Sequence, residues 1–278
     1  MSLEHSVDPV CYRHADRVTY VSCSRCGNHI CPECMIPAAV GFHCPGCVAE
    51  GRASTRTVTE FKPYVTYALI TACAAVQVLG QLGLGTTSGW VQEFSLFPAG
   101  IALYGEYYRL ITAVFVHSGW LHLGMNMLVL WIMGRSLEAA IGRVRMLTLF
   151  LIAGFGGAVA SYWFNGPLVA GVGASGAIFG LFGAVFMVGR EMRMNTQEVL
   201  SLIGLNLLIG FIIPGVDWHA HLGGLVTGAL VGWTLIPRRP RVLQLLGPLV
   251  ALAVLVLLVQ ARTPMIITEL KTSGVIHS

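Results

Sequence analysis

The stretch VGASGAIFG, Val172 to Gly180, places a serine among glycines inside an apolar run with no charged residue nearby. Taken alone, Ser175 is a packing residue, because small side chains let helices approach closely in a bilayer. Its meaning depends on what the rest of the chain brings to the same depth. The chain of 278 residues is 55% hydrophobic and 11% charged, with a mean hydropathy of +0.72. Ordinary soluble domains carry about 25% charged residues, so the composition is that of a polytopic membrane protein, and the run lengths below make it all-α. The net charge of +4 does not point to a nucleic acid, since Lys and Arg in such chains mark cytoplasmic loops.

Charge-free runs long enough to cross the hydrocarbon, about 20 residues, number seven. They lie at about 63–84, 118–134, two between Arg145 and Arg190 separated by the turn Asn165-Gly166-Pro167, one between Glu198 and Asp217 ending near Pro214-Gly215, one at 218–237 and one at 242–261. With the N-terminus cytoplasmic, fourteen of the 17 Lys and Arg fall inside, leaving only Arg109, Arg262 and Lys271 outside. This is the asymmetry of the positive-inside rule. It places the N-terminus in the cytoplasm and the C-terminus outside a cell membrane. The first 60 residues are polar and Cys-rich, with no apolar core of a signal peptide. Residues 262–278 read as an extracytoplasmic tail.

This topology puts Ser175, His122, Asn126 and His221, from three separate spans, in one layer roughly a third of the way in from the outer face, at ~1.5 Å per helical residue. Polar groups at such depth face the bundle interior or a water-filled cavity. A serine hydroxyl needs a base to become a nucleophile, and imidazole is the usual base near neutral pH, which pairs Ser175 with His221. His122 and Asn126, at i and i+4, share one helix face and suit an oxyanion hole. If Ser175 begins a helix, its own N–H is a third donor. Asp217, four residues before His221, reads as a helix N-cap. Metal-dependent cleavage would need a His-Glu-x-x-His helix, which is absent. An aspartyl mechanism would need two intramembrane carboxylates, and only Asp217 is near the layer.

GASG at 173–176, HLGMN at 122–126 and AHLGGLVTG at 220–228 together resemble the signatures of rhomboid intramembrane serine proteases. Tyr108-Arg109 matches the aromatic-Arg pair of that family's first outer loop, and His117 its second histidine. The resemblance covers roughly residues 60–237. It implies a six-helix core over 63–237, a Ser175–His221 dyad with His122 and Asn126 stabilising the oxyanion, no catalytic cofactor, and cleavage of other proteins' transmembrane segments near the outer face. Some relatives place a tyrosine one turn after the nucleophile to stack on the imidazole. Here that position is Phe179. The span at 242–261 is an addition, giving a six-plus-one arrangement. The alternative is a catalytically silent relative that binds transmembrane clients.

Residues 1–50 hold a second constellation: Cys11-x-x-His14, Cys23-x-x-Cys26, Cys31-x-x-Cys34 and Cys44-x-x-Cys47. Eight such ligands suffice for two tetrahedral structural zinc sites. A cytoplasmic location disfavours disulfides. The spacing resembles a B-box-type zinc finger with interleaved ligation, Cys11, His14, Cys31 and Cys34 at one ion and Cys23, Cys26, Cys44 and Cys47 at the other. His43 and His29 stand as substitutes. Residues 51–62 read as a linker, and the finger as a site for a cytoplasmic protein partner.

Overall fold

The computed structural model describes residues 8–38, 40–53, 61–82, 87–213 and 215–276, the side chains of 51–53, 87 and 88 excepted. The chain divides into two compact units, Met1–Glu60 and Phe61–Ser278. Most of the linker, the end of the first span and Pro214, where the fifth was expected to stop, lie outside the described residues.

The first unit has very little regular structure. Strands β1 (Ile36–Pro37) and β2 (Phe42–His43) pair antiparallel, a 3-10 turn spans Pro32–Cys34, and helix α1 runs over Pro45–Ala53. Its buried core is Ile30 and six cysteines, with Met35 packed against them. An apolar core this small does not hold a short domain by itself.

The second unit is helical: α2 (Tyr64–Gln81), α3 (Thr87–Phe94), α4 (Pro98–Tyr104), α5 (Arg109–Thr112), α6 (Trp120–Ile141), α7 (Arg143–Phe164), α8 (Ser175–Glu191), α9 (Gln197–Ile212), α10 (Trp218–Thr234) and α11 (Arg241–Thr272). Among the described residues α2, α7 and α11 are long and apolar enough to cross a membrane, and α9 is a shorter apolar helix. Seven of these helices overlap the seven charge-free runs; two of them depart from the expected ends.

Helix α6 continues seven residues past Gly134 to Ile141. Arg135, which ends the charge-free run, is exposed and lies over the Trp131 ring (4.5 Å), whereas Glu138 further along is fully buried and accepts hydrogen bonds from Val65 N (3.1 Å), Thr66 N (2.8 Å) and Thr66 Oγ1 (2.7 Å). These amides open α2, which has no side-chain cap of its own, so the carboxylate of one helix serves the free N–H groups of another. Helix α11 likewise runs past Ala261 to Thr272, so most of the segment 262–278 continues the helix of the seventh run. Arg262 is buried and satisfied by Glu269 Oε1 (2.5 Å) and Oε2 (3.2 Å) and by Tyr162 O (3.4 Å). The following turns bury Ile266 and Leu270 in a cluster with Ile101 and Tyr162.

Between α2 and α6 the chain folds into α3, α4 and α5, fastened by buried Arg109, which donates to Glu106 Oε2 (2.6 Å), Gln92 O (2.7 Å) and Ser95 O (3.1 Å). A two-way backbone bridge, Leu96 to Gly171, ties this segment to the loop that leads into α8. Helices α7, α8 and α10 meet almost backbone to backbone. A Cβ on Gly157 would stand 2.8 Å from Ala220 O, and one on Gly224 2.7 Å from Gly176 C, so neither position admits a side chain without parting the helices.

Candidate active site

Ser175 is the first residue of α8, and His221 lies in the first turn of α10. The glycine contact between these helices brings Ser175 Oγ to 2.9 Å from His221 Nε2. The imidazole is buried and stacks on Phe179, ring centroids 4.2 Å apart and planes 11° off parallel. Phe179 lies one turn after Ser175, so a single helix carries the hydroxyl and the surface that orients its partner. With Ser175 donating to Nε2, the ring proton sits on Nδ1, a buried atom without a hydrogen-bond partner among the described residues.

The loop entering α8 is held from several sides. Gly173 N donates to Ala113 O (2.9 Å) and Ala174 N approaches His117 Nε2 (3.5 Å). Gly173 has φ 119°, and a Cβ there would fall 2.7 Å from His122 Cε1, so both backbone and space require glycine. His117 is fully buried and packs edge-on against His122, centroids 5.1 Å apart. Its place is behind the loop, supporting the nucleophile.

His122 and Asn126 face a cavity of about 950 Å³ that Ser175, Gly173, Asp217 and His221 also line. His122 Nδ1 is 3.1 Å from Ser118 Oγ, and Asn126 Nδ2 donates to His122 O at 2.8 Å. The cavity therefore joins a hydroxyl–imidazole pair, two side chains with N–H groups on one helix face and the open N-terminus of α8. Such a set can activate an oxygen nucleophile and receive negative charge beside it. His219 lies apart, stacked on Phe164 and in tilted contact with Trp218. Two residues not singled out in the sequence, Ser161 and Asn165 at the end of α7, meet the Asp217 carboxylate at 2.5 and 2.9 Å. Asn165 carries a turn signal that conceals this second use.

In the N-terminal unit, Cys11, His14, Cys31 and Cys34 form one group and Cys23, Cys26, Cys44 and Cys47 another, the ligand atoms of each lying within 4.8 Å of one another. His29 and His43 belong to neither. Cys26 and Cys44 Sγ are 3.8 Å apart, and His14 Nδ1 is 3.3 Å from Cys31 Sγ and 3.5 Å from Cys34 Sγ. Tetrahedral ligation with Zn–S bonds of ~2.3 Å sets sulfurs about 3.8 Å apart, so the groups fit an ion of that size. Burial and the neighbouring sulfurs push the Cys34 and Cys47 thiols up to about 11 and about 12. Three or four thiolates crowded this closely repel one another, and a bound cation would relieve that repulsion.

Fold and site together define a polytopic helical membrane protein with a serine–histidine pair inside its bundle. The Rhomboid domain family matches residues 104–238. The chain is 35% identical to Rhomboid protease GluP of Bacillus subtilis (strain 168) over 60% of its own length and 34% of that protein. It is 40% identical to RHOMBOID-like protein 6, mitochondrial, of Arabidopsis thaliana over 55% of its length and 52% of the relative. With Rhomboid protease AarA of Providencia stuartii the identity is 30%, over 59% of this chain and 70% of AarA. The chain belongs to the rhomboid family, and it spans only about a third to a half of GluP and of RHOMBOID-like protein 6.

Proposed function

We propose that this protein is a serine endopeptidase that cuts transmembrane segments of other membrane proteins near the outer face of the membrane. The single observation that carries the reading is the 2.9 Å contact between Ser175 Oγ and buried His221 Nε2. His221 takes the Oγ proton as the oxygen attacks the scissile carbonyl carbon. The carbonyl π-electrons move onto its oxygen, which His122, Asn126 and the Ser175 amide stabilise. Collapse of this tetrahedral species breaks the C–N bond, and the imidazolium returns its proton to the leaving amine. Water, deprotonated by the same imidazole, then releases the acyl group. Apart from that water, the steps use no metal or cofactor.

The Lys/Arg asymmetry supports a cytoplasmic N-terminus and an outer C-terminus. The two Cys/His groups support two structural zinc ions in a domain over residues 1–50, joined by a linker at 51–62 to the rhomboid core at 63–237 and α11. Zinc there supplies folding energy that the small core lacks. Its exposed surface serves a cytoplasmic protein partner. The enzymatic reading is tested by incubating purified protein with a model transmembrane substrate in detergent: site-specific cleavage is expected, and intact substrate with a competent preparation counts against it.

A further inference from the structure

The orientation of His221 has no side-chain guide on its far edge, because Nδ1 lacks a partner. The ring is fixed by Ser175, by the Phe179 face and by wherever the first turn of α10 stands. Asp217 holds that turn. Its main-chain oxygen accepts from His221 N (3.2 Å) and its Oδ1 from Ala220 N (3.1 Å). Its Oδ2 accepts from Ser161 Oγ (2.5 Å) and Asn165 Nδ2 (2.9 Å), and Asn165 Nδ2 also donates to Ser161 Oγ (2.9 Å). Ser161 is buried in the last turn of α7, and Asn165 is the residue that ends it. One side chain thus caps the helix bearing the imidazole and fastens it to the neighbouring helix.

We propose that Asp217 is a positioning residue for His221, acting through the backbone of α10 rather than through the imidazole, a reading that rests on the Ser175–His221 pair proposed above. The carboxylate already receives three donors, and His219 Nδ1, at 3.8 Å from Oδ1, is beyond hydrogen-bonding distance. It therefore differs from the carboxylate of a Ser-His-Asp triad, which accepts the proton of Nδ1 and whose change to an amide costs about 10⁴-fold in turnover. A tether needs an acceptor for the helix amide, and Asn caps helices about as well as Asp.

The test compares kcat, KM and the rate at which a fluorophosphonate labels Ser175, all per folded protein, in the parent, Asp217→Ala, Asp217→Asn and Asn165→Ala. A shift of the imidazole by about 1 Å costs roughly 10²-fold. Asp217→Ala is expected to lower kcat and labelling together by ~10- to 100-fold with KM changed less than about twofold, and Asp217→Asn, which keeps the cap acceptor but not the acceptor for Ser161 and Asn165, to recover part of that loss. Asn165→Ala, which removes one donor from Oδ2 and leaves the cap, is expected to lose roughly 3- to 10-fold and keeps the question answerable if Asp217→Ala fails to fold. Parent-like kcat and labelling in Asp217→Ala, or in Asn165→Ala where the first does not fold, overturns the proposal. So does an Asp217→Asn loss as deep as that of a triad. Ser175→Ala run in parallel separates the two ideas: if it still cleaves, the dyad reading fails, whereas a dead Ser175→Ala beside an unaffected Asp217→Ala sinks only the positioning role.

Discussion

Replacing Gly224 with alanine adds one methyl at the point where α10 crosses α8, and the structure sets the size of the effect. The new Cβ would sit 2.7 Å from Gly176 C and 3.1 Å from Gly176 Cα, with Gly176 O nearer still. Carbon atoms pack at about 3.5–4.0 Å, so the helices must part by roughly 1 Å. Gly176 follows Ser175 directly, and Gly224 is one turn beyond His221, so the separation falls on the 2.9 Å contact between Ser175 and His221. That contact opens to about 4 Å, outside hydrogen-bonding range. Overpacking costs about 1–3 kcal/mol, offset by up to about 1 kcal/mol from the better helix propensity of alanine. The variant should stay folded and lose about 10²-fold in turnover. Gly204→Ala in α9, where an added Cβ meets nothing within 4 Å, is the matched control and should cleave at the parental rate. Cleavage of a fluorogenic transmembrane substrate, with thermal unfolding followed in the same detergent, reads both quantities. Parental turnover in Gly224→Ala refutes the link between helix contact and dyad geometry, as does a loss of activity no larger than the loss of folded protein.

The other expectations follow from the donors, the orientation and the metal groups. Asn126→Ala or His122→Ala should each lower kcat by about 10²-fold, or ~2.7 kcal/mol, with little change in KM; a raised KM at unchanged kcat would reassign these residues to substrate docking. A cysteine introduced at Ser54 should react with an impermeant thiol reagent only after permeabilisation, and one at Thr272 in intact cells; reaction of both from one side would refute the proposed orientation. Purified full-length protein should contain two zinc ions per chain, and a strong chelator should unfold residues 1–50 while Ser175 remains open to labelling. One ion or none rules out the paired wiring.

Most of the helical layout is legible because an apolar helix must exclude unpaired charge, so charged residues mark its ends. The same logic explains both departures. Arg135 and Arg262 end the charge-free runs two and seven, yet the helices continue: Arg135 stays exposed on α6 while Glu138 beyond it is buried against Thr66, and Arg262 is buried against Tyr162 and Glu269. No local pattern records such long-range partners. The short helices α3 to α5 are equally hidden, since Arg109 anchors them through the main-chain oxygens of Gln92 and Ser95, which a residue of any type would present. The site residues were visible because polar side chains at one depth in apolar helices are costly unless they face one another. Ser161 was not, because serine in a small-residue stripe is indistinguishable from packing until its partner is known. The Cys/His spacing exposed both candidate metal groups directly, and six of their eight side chains lie with Ile30 in the buried core of that unit.

The central claim is that Ser175 Oγ, activated by His221, forms an acyl intermediate. Its most direct test is the single-turnover cleavage of a model transmembrane substrate by purified parent and Ser175→Ala proteins of equal thermal stability. The account predicts that the parent forms an ester between Ser175 and the N-terminal cleavage fragment, detectable by mass spectrometry after acid quench, and that Ser175→Ala forms neither ester nor product. Cleavage by Ser175→Ala at a rate near that of the parent would contradict it.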